Sequence, residues 1–258
     1  MNVIVCIKQV PSGSVCLNEQ GNLDRSRAGG EINPGDKYAL EAGMQIAERT
    51  GGQVTAVTMG PEAARGVLQT AFSMGASRGI LVSHPSFAGG DVYATAYTLS
   101  QCIRRIPDWD LILCGQQSTD GDTAQLPFSL AVQLGIPAVG WVKHMEICPD
   151  RLILQQELSQ GTQRAEIAFP AVIAVGAAIG TPRIPSLRSQ LRAKSMEIQV
   201  MGPESFSDPN PENYVFSGSH TRVVGVRQTE SRRKHAPMSG AEGVCRIRRL
   251  LREVQTHG

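Results

Sequence analysis

The sequence has few aromatic residues and almost no excess of one charge. Only 5% of its 258 residues are Phe, Trp or Tyr, and the formal net charge is +2. Nucleic-acid-binding surfaces combine basic patches with aromatic side chains, so this composition argues against such a protein. The sequence also has no apolar run of the roughly 18 residues that a membrane span requires, so we expect no membrane-spanning segment.

Clustered cysteines and histidines are also missing. The six cysteines and five histidines are scattered along the chain, without a Cys-x-x-Cys or His-x-x-x-His pair. Metal sites and catalytic centres need such groups close together, so we expect neither a metal site nor catalysis by this chain alone. Scattered cysteines are typical of a reducing compartment, and the N-terminus lacks the features of a signal peptide. These observations predict a cytoplasmic protein.

Strand-like and helix-like patterns alternate four times in the first half of the chain. Apolar runs at 3–7, 53–59, 79–82 and 110–114 are followed by helical patterns at 33–50, 61–74, 90–106 and 126–134. This alternation predicts an α/β fold with a parallel, doubly wound, Rossmann-like sheet covered by helices on both faces. Such sheets bind ligands at the carboxyl ends of the strands, where the strand order changes direction. The loops 6–13, 33–36, 59–66 and 115–125 would share that edge.

The pattern changes after Pro137. Strand-like segments at 140–147, 151–155, 164–169 and 171–175 predict a small antiparallel extension of the sheet. We expect a nucleotide-binding domain over 1–200, with a short helix at 187–194. Residues 201–258 would form an arm: a linker at 202–219, a last strand at 222–226 and a helix from Gly240. That helix has an apolar stripe, which must be buried on this chain or on a partner subunit; its members are Val244, Ile247, Leu250, Leu251 and Val254.

Two loops, 11–31 and 115–125, have features that suggest a function. Residues 11–31 form a long segment without periodicity, and a loop of that length is usually functional or part of an interface. Residues 115–125 separate a buried strand from a helix, and backbone N–H groups at a helix start favour phosphate. An ordinary βα turn with an aspartate N-cap would use the same residue types, so both interpretations of 115–125 stay open.

Short motifs over about residues 1–200 resemble the small (beta) subunit of electron transfer flavoproteins. Their order and spacing carry the resemblance more than any one of them does. The motifs are Val5–Pro11, Asn33–Glu41, Met59–Pro61, Ala71–Gly79, Gly115–Gln125, Phe169–Val172, Pro182-Arg183 and Arg192–Lys194.

The resemblance implies an adenine nucleotide alpha hydrolase-like fold and a partner, the larger alpha subunit. The heterodimer would shuttle electrons from a flavin dehydrogenase, or from NADH, through an FAD carried by the alpha subunit to an acceptor. The beta subunit would be an electron carrier subunit rather than an enzyme, with its own nucleotide site for AMP or, in electron-bifurcating members, a second FAD.

The central loop bears on the choice between those nucleotides. Ordinary members tend to have Asp-Asp-x-Asn-Gln-Thr, whereas residues 120–125 are similar to the bifurcating and nitrogen-fixation-associated groups. This favours FAD, with AMP as the alternative, although both would use the same helix N-termini. Pro127-Phe128 replaces the usual Gly-Pro, Ser12 replaces an Asp, and residues 159–162 replace an acidic turn. Whether the protein bifurcates electrons therefore stays open.

The resemblance also implies roles for individual residues. Beside the adenine would lie Cys6 and Lys8, with Asn33 and Asp36 bordering the nucleotide and Met59 at the end of the second strand. The phosphate would receive backbone N–H groups and the Thr123 hydroxyl from the loop Asp120, Gly121, Asp122, Thr123, Ala124 and Gln125. Because carboxylates repel phosphate, Asp120 and Asp122 would instead cap the helix or bind ribose hydroxyls.

Two further positions have competing interpretations. Leu187 matches the family's recognition-loop leucine, which docks a dehydrogenase, but it could be a plain helix-core leucine. The basic cluster 232–234 could be a solvated face or a contact with the alpha subunit. A stand-alone nucleotide-binding regulator of the universal-stress type would share the four βα units and would not need residues 187–258.

Overall fold

The computed structural model describes residues 1–12, 29–208, 210–214, 218–221, 224 and 239–255. The chain divides into two compact units, Met1–Val224 and Gly225–Gly258. The whole β-sheet belongs to the first unit. The described part of the second unit contains one helix.

The predicted alternation of strands and helices in the first half is confirmed. The strands are β1 (Val3–Cys6), β2 (Gln9–Ser12), β3 (Gly29–Ile32), β4 (Val54–Met59), β5 (Arg78–Val82), β6 (Leu111–Gly115), β7 (Ala138–Ile147), β8 (Arg151–Leu158), β9 (Gly161–Ala168), β10 (Ala171–Val175) and β11 (Ile198–Met201). The helices are α1 (Pro34–Thr50), α2 (Arg65–Met74), α3 (Val92–Ile103), α4 (Leu126–Leu134), α5 (Leu187–Ala193) and, in the second unit, α6 (Gly240–Gln255).

Nine strands form one sheet in the order β11-β5-β4-β1-β6-β10-β7-β8-β9. The strands from β11 to β7 are parallel, and β8 and β9 continue the sheet in antiparallel fashion. The chain runs outward from β1 to β4 and β5, and α3 then leads it back to β6 on the other side of β1. The strand order therefore changes direction between β1 and β6, which is where such sheets bind ligands.

The central strands are buried on both faces because successive side chains point to opposite sides. Val3 and Val5 of β1 belong to a core cluster that includes residues of α1 and α2. Ile4 and Cys6 belong to a second cluster that includes residues of α3 and α4. Cys6 and Cys114, neighbours across β1 and β6, are buried core thiols.

The prediction for residues 171–175 is wrong in one respect. This segment, β10, is not part of the antiparallel extension but lies parallel between β6 and β7. All five of its residues are buried, which suits an interior parallel strand covered on both faces. The antiparallel extension therefore consists of β7, β8 and β9.

The ends of the predicted loop 11–31 are paired. Residues 9–12 and 29–32 form the antiparallel ribbon β2–β3, whereas residues 13–28 lie outside the described part of the chain. The pairing was not predicted because alternation over four residues is too short a signal to distinguish from a loop.

The described part of the predicted linker 202–219 packs against α3 and against the segment that contains Phe87. Phe206 and Tyr214 belong to the core cluster of α3, and their rings contact the ring of Phe87. The Tyr214 hydroxyl donates a hydrogen bond of 2.7 Å to the backbone oxygen of Asp208. Two large aromatic side chains bury enough surface to hold a segment whose average composition is that of a linker.

Helix α6 has the predicted amphipathic pattern. The side chains of Val244, Ile247 and Leu251 are 59%, 60% and 59% exposed. Burial of this stripe on a partner subunit stays a prediction. The predicted strand at 222–226, except for Val224, and the basic cluster 232–234 lie outside the described residues.

Candidate functional site

The carboxyl ends of β1 and β6 are joined to the start of α1 by the buried carboxylate of Asp36. Oδ2 of Asp36 accepts a hydrogen bond from the backbone N–H of Lys8 at 2.7 Å, and Oδ1 accepts one from Nδ2 of Asn33 at 3.0 Å. The backbone of Gly115 also hydrogen-bonds this carboxylate. Burial raises the pKa of Asp36 to about 7, against the opposite effect of these hydrogen bonds. Asp36 therefore fixes α1 on the edge of the sheet.

Asn33 performs the same task for the central loop, 115–125. Its Oδ1 accepts a hydrogen bond from the backbone N–H of Thr119 at 3.2 Å, and its Nδ2 donates one to the backbone oxygen of Gln117 at 3.0 Å. Its own backbone N–H donates to the backbone oxygen of Lys8 at 2.9 Å. Asn33 is only 1% exposed, so its polar atoms depend on these partners. The side chain thereby sets the position of the loop relative to α1.

An ion pair crosses the site from β1 to the loop. Nζ of Lys8 lies 2.7 Å from Oδ1 of Asp120 and 3.4 Å from the hydroxyl of Ser118. Burial acts to raise the pKa of Asp120, but the hydrogen bond and charge of Lys8 outweigh it and hold this pKa below its usual value. Asp120 is therefore ionised and neutralised by Lys8, which reduces its repulsion of a nearby anion.

The second half of the loop has a constrained backbone. Asp122 and Ala124 have φ angles of 50° and 53°, which non-glycine residues rarely adopt. The Asp122 N–H donates to the backbone oxygen of Ser118 at 2.9 Å, closing a turn around Gly121. Such strained positions persist where the surrounding structure fixes them, often at ligand sites.

Helix α4 begins without an aspartate cap. Its N-cap residue is Gln125, which makes no capping hydrogen bond. The interpretation of the loop as an ordinary turn with an aspartate N-cap is therefore wrong, as is the helix-capping role suggested for Asp120 and Asp122. Their alternative role, binding ribose hydroxyls, stays a prediction. The partial positive charge at the start of α4 stays available to an anion, and the neighbouring Thr123 is exposed.

The remaining predicted site residues lie at the strand ends. Cys6 is the last residue of β1 and is 6% exposed, and Met59 is the last residue of β4 and is half-buried. Cys6 hydrogen-bonds the thiol of Cys114, and this contact with burial raises the pKa of Cys114 well above its usual value. These two thiols are packed in the core, so the Cys6 side chain stabilises the carboxyl end of β1 by packing.

Sequence reasoning did not identify the roles of Gly115, Gln116 and Ser118. A Cβ placed on Gly115 would lie 2.3 Å from Oδ1 of Asp36, so α1 approaches β6 at a position that requires glycine. Oε1 of Gln116 accepts the N–H of Trp141 at 2.5 Å, while its buried Nε2 has no hydrogen-bond partner. A glycine at the end of a buried strand is a usable signal of close backbone approach, whereas a single glutamine or serine carries none.

The predicted docking residue Leu187 is the first residue of α5 and is 73% exposed. The interpretation of Leu187 as a helix-core leucine is therefore wrong. Ile184 and Leu191 are exposed on the same segment. We call residues 184–191 the docking segment below.

Two searches of the described residues bear on other functions. No helix in that part of the chain combines the length and apolarity needed to cross a membrane. The same residues contain no cluster of three or more His, Cys, Asp or Glu placed to hold a metal ion.

Known proteins are similar to this chain over most of its length. The family model described as "Electron transfer flavoprotein domain" matches residues 20–205. The chain is 35% identical to the "Electron transfer flavoprotein subunit beta" of Thermoanaerobacterium thermosaccharolyticum, over 90% of each chain. It is 32% identical to "Caffeyl-CoA reductase-Etf complex subunit CarD" of Acetobacterium woodii, over 86% of each chain. It is 33% identical to "Protein FixA" of Azotobacter vinelandii, over 92% of this chain and 88% of that protein.

Proposed function

The chain belongs to the electron transfer flavoprotein family, and on that premise we propose that it is the beta subunit of a two-subunit electron carrier. The carrier passes electrons from a dehydrogenase, or from NADH, through flavin to an acceptor. One of these relatives is named as an electron transfer flavoprotein subunit, which supports a carrier role for this chain rather than an enzyme's. The family membership leaves the universal-stress alternative without support.

The observation that carries the proposal is the arrangement at the carboxyl ends of β1 and β6. Here α4 begins directly after the loop 115–125 without a side-chain cap. The charge of Lys8 neutralises that of Asp120. Both features fit the phosphate groups of an adenine nucleotide. We assign the adenine to the strand ends, beside Cys6, Lys8 and Met59, and the ribose hydroxyls to Asp120 and Asp122.

The other predicted residues divide into two groups. Asn33 and Asp36 position the edge of the site through buried hydrogen bonds, because both side chains are occupied by protein partners. The backbone of the loop presents N–H groups to phosphate, helped by the hydroxyl of Thr123. The predicted loop residues are Asp120, Gly121, Asp122, Thr123, Ala124 and Gln125. The N–H groups of Gly121 and Asp122 already donate to Oδ1 of Asp120 and to the backbone oxygen of Ser118, so we assign the phosphate contacts to Thr123, Ala124 and Gln125.

We propose a second FAD rather than AMP in this site. The sequence of residues 120–125 favours it, and one relative is named as part of a caffeyl-CoA reductase-Etf complex. Bound FAD would supply reversible electron acceptance. The chain's own residues hold the phosphates and orient the nucleotide at the sheet edge, and NADH oxidation would occur there only in the complete heterodimer.

Two surfaces are proposed to contact partners. The exposed side chain of Leu187 fits a docking role toward a flavin dehydrogenase, and the apolar face of α6 fits burial on the alpha subunit. A cytoplasmic location is proposed on the family membership and on the scattered cysteines, of which the five described are free thiols.

Co-expression with the alpha subunit tests the proposal. We expect a yellow heterodimer from which denaturation releases two FAD molecules per particle. One FAD with one AMP would contradict bifurcation but keep the adenine site. A colourless beta subunit that fails to bind the alpha subunit and releases no nucleotide would contradict the proposed function as a whole.

A further inference from the structure

Arg183 precedes the docking segment and is bound to α1 through Glu41. Its Nε lies 2.8 Å from Oε2 of Glu41, its Nη2 lies 3.1 Å from Oε1, and its backbone N–H donates to Oε2 at 3.0 Å. The Glu41 side chain is only 8% exposed and also accepts a hydrogen bond from Gln45 at 3.0 Å. Paired hydrogen bonds between a guanidinium and a carboxylate fix direction as well as distance.

The same guanidinium also binds a second carboxylate on α1. Nη1 of Arg183 lies 2.6 Å from Oε1 of Glu48, and Nη2 lies 3.2 Å from Oε2. Glu41 and Glu48 are seven residues apart, two turns along one face of the helix. Burial acts to raise the pKa of Glu41, but the hydrogen bonds from Arg183 and Gln45 hold this pKa below its usual value. Both carboxylates are ionised at neutral pH, so the pairing does not depend on a proton.

The segment that follows has the composition of a protein-binding surface. Ile184, Leu187 and Leu191 are 94%, 73% and 59% exposed. Residues 181–186 have no helix or strand of their own, and α5 has only seven residues. Such a segment presents its apolar side chains in one place only if neighbouring contacts hold it. Arg183 supplies contacts of this kind at the start of the segment.

Helix α1 connects this surface to the nucleotide site. Asn33 and Asp36 lie at its start, and Glu41 follows Asp36 by five residues, or about 8 Å along the axis. We propose that Arg183 is a positioning residue, which fixes the docking segment to α1 and so sets where a dehydrogenase sits relative to the nucleotide site. This inference rests on the docking role proposed for Leu187.

The expected consequence is a loss of docking affinity when the pairing is removed. Without Arg183, α5 would still pack against α2, but the residues before it would have to be ordered when the partner binds. Ordering a few side chains lowers affinity by about tenfold. The chemistry of electron transfer in the formed complex would be little changed. Arg183→Gln should therefore raise KM for the carrier without a matching fall in kcat.

The experiment uses the complete heterodimer and a purified flavoprotein acyl-CoA dehydrogenase as the probe. For Arg183→Gln we expect KM for the carrier to rise about tenfold, with kcat within about twofold of wild type. Flavin and nucleotide content should not change, and amide hydrogen exchange should accelerate in residues 181–191. Arg183→Lys keeps the charge but loses the paired geometry, so its KM should lie between those of wild type and Arg183→Gln. Arg151→Gln is the matched control, because Arg151 also pairs with two carboxylates, Asp150 in the turn before β8 and Glu166 on β9.

A parallel Leu187→Ala variant separates this inference from the proposed docking role. If Leu187→Ala raises KM and Arg183→Gln does not, the positioning role is wrong and the docking role stands. If neither variant changes KM, the docking role is wrong and the inference fails with it. Should Arg183→Gln fail to fold, Glu48→Gln removes only the more exposed carboxylate and should still raise KM two- to threefold; an unchanged KM there would overturn the inference.

Discussion

Oδ1 of Asp36 lies against the backbone of Gly115, at 2.3 Å from where a Cβ on that residue would stand. The first turn of α1 and the end of β6 meet at this contact. Because Asp36 also holds the backbone of Lys8, any shift of its carboxylate moves three elements of the site together. The proposed nucleotide site therefore depends on the absence of a Cβ at Gly115.

Gly115→Ala should displace the start of α1 and destabilise the protein by about 2 kcal/mol, as expected for overpacking a buried contact. Nucleotide content should fall in parallel. Gly176→Ala is the matched control, because Gly176 also follows a buried parallel strand but has open space around it. Urea unfolding and nucleotide analysis of both variants check the prediction. Equal effects of the two substitutions would contradict it.

The ion pair between Lys8 and Asp120 predicts unequal effects of removing its two partners. Lys8→Met leaves a nearly buried carboxylate beside the expected phosphate, so nucleotide affinity should fall at least tenfold. Asp120→Asn removes that negative charge and should cost less. Lys143→Met, which removes an exposed lysine paired with Thr162, is the control. Calorimetric titration with the nucleotide measures these affinities; equal affinities for wild type and Lys8→Met would rule out the assigned role.

A substitution at Gly121 can separate a steric effect on nucleotide binding from an effect on the stability of the fold. A Cβ at this position would meet only Ser118 Oγ at 3.6 Å and Lys8 Nζ at 3.9 Å, and the backbone is not left-handed. Gly121→Val should therefore change the stability of the nucleotide-free protein by less than about 0.5 kcal/mol, as a surface substitution does. It should still prevent nucleotide binding, because the valine side chain would project from the loop into the space proposed for the phosphate. Full nucleotide occupancy in this variant would show that phosphate does not approach Gly121.

Asp36 predicts a dependence of stability on pH. Its pKa is about 7 in the folded protein, against about 3.9 for an aspartate in the unfolded chain, so the folded state keeps a proton that the unfolded state loses. The stabilisation is complete below pH 4 and is lost as pH rises to 7, by up to about 4 kcal/mol. Asp36→Asn does not titrate and should flatten this dependence, whereas the exposed Asp150→Asn should not. Urea unfolding at pH 5 and pH 8 measures the difference; parallel slopes for wild type and Asp36→Asn would count against it.

Local pattern was sufficient for the elements that carry the site. The strand before residue 115 and the helix after residue 125 have strong, uninterrupted apolar patterns, so their bounds and the loop between them could be predicted. The family resemblance, and not local pattern, indicates Asn33 and Asp36, which belong to the motif Asn33–Glu41 at the start of α1. Their actual partners, Lys8, Gln117 and Thr119, come from distant parts of the chain and leave no local pattern.

The wrong predictions have the same origin, because they too concern contacts between distant parts of the chain. The apolar run 171–175 would suit any buried strand, and only its pairing with β6 and β7 places it inside the parallel sheet. The segment 202–214 has a linker's average composition, yet its Phe206 and Tyr214 are buried and their rings contact Phe87. The exposure of Leu187 could not be read from the sequence, because helix-core and docking leucines have the same spacing.

The central claim is that the beta subunit holds an adenine nucleotide where β1 and β6 end. A density map of the purified two-subunit particle tests it most directly. We expect an adenosine beside Cys6 and Lys8, with phosphate against the backbone of residues 120–125 and the start of α4. A well-resolved map with this edge of the sheet empty, and the nucleotide bound elsewhere or absent, would contradict the account.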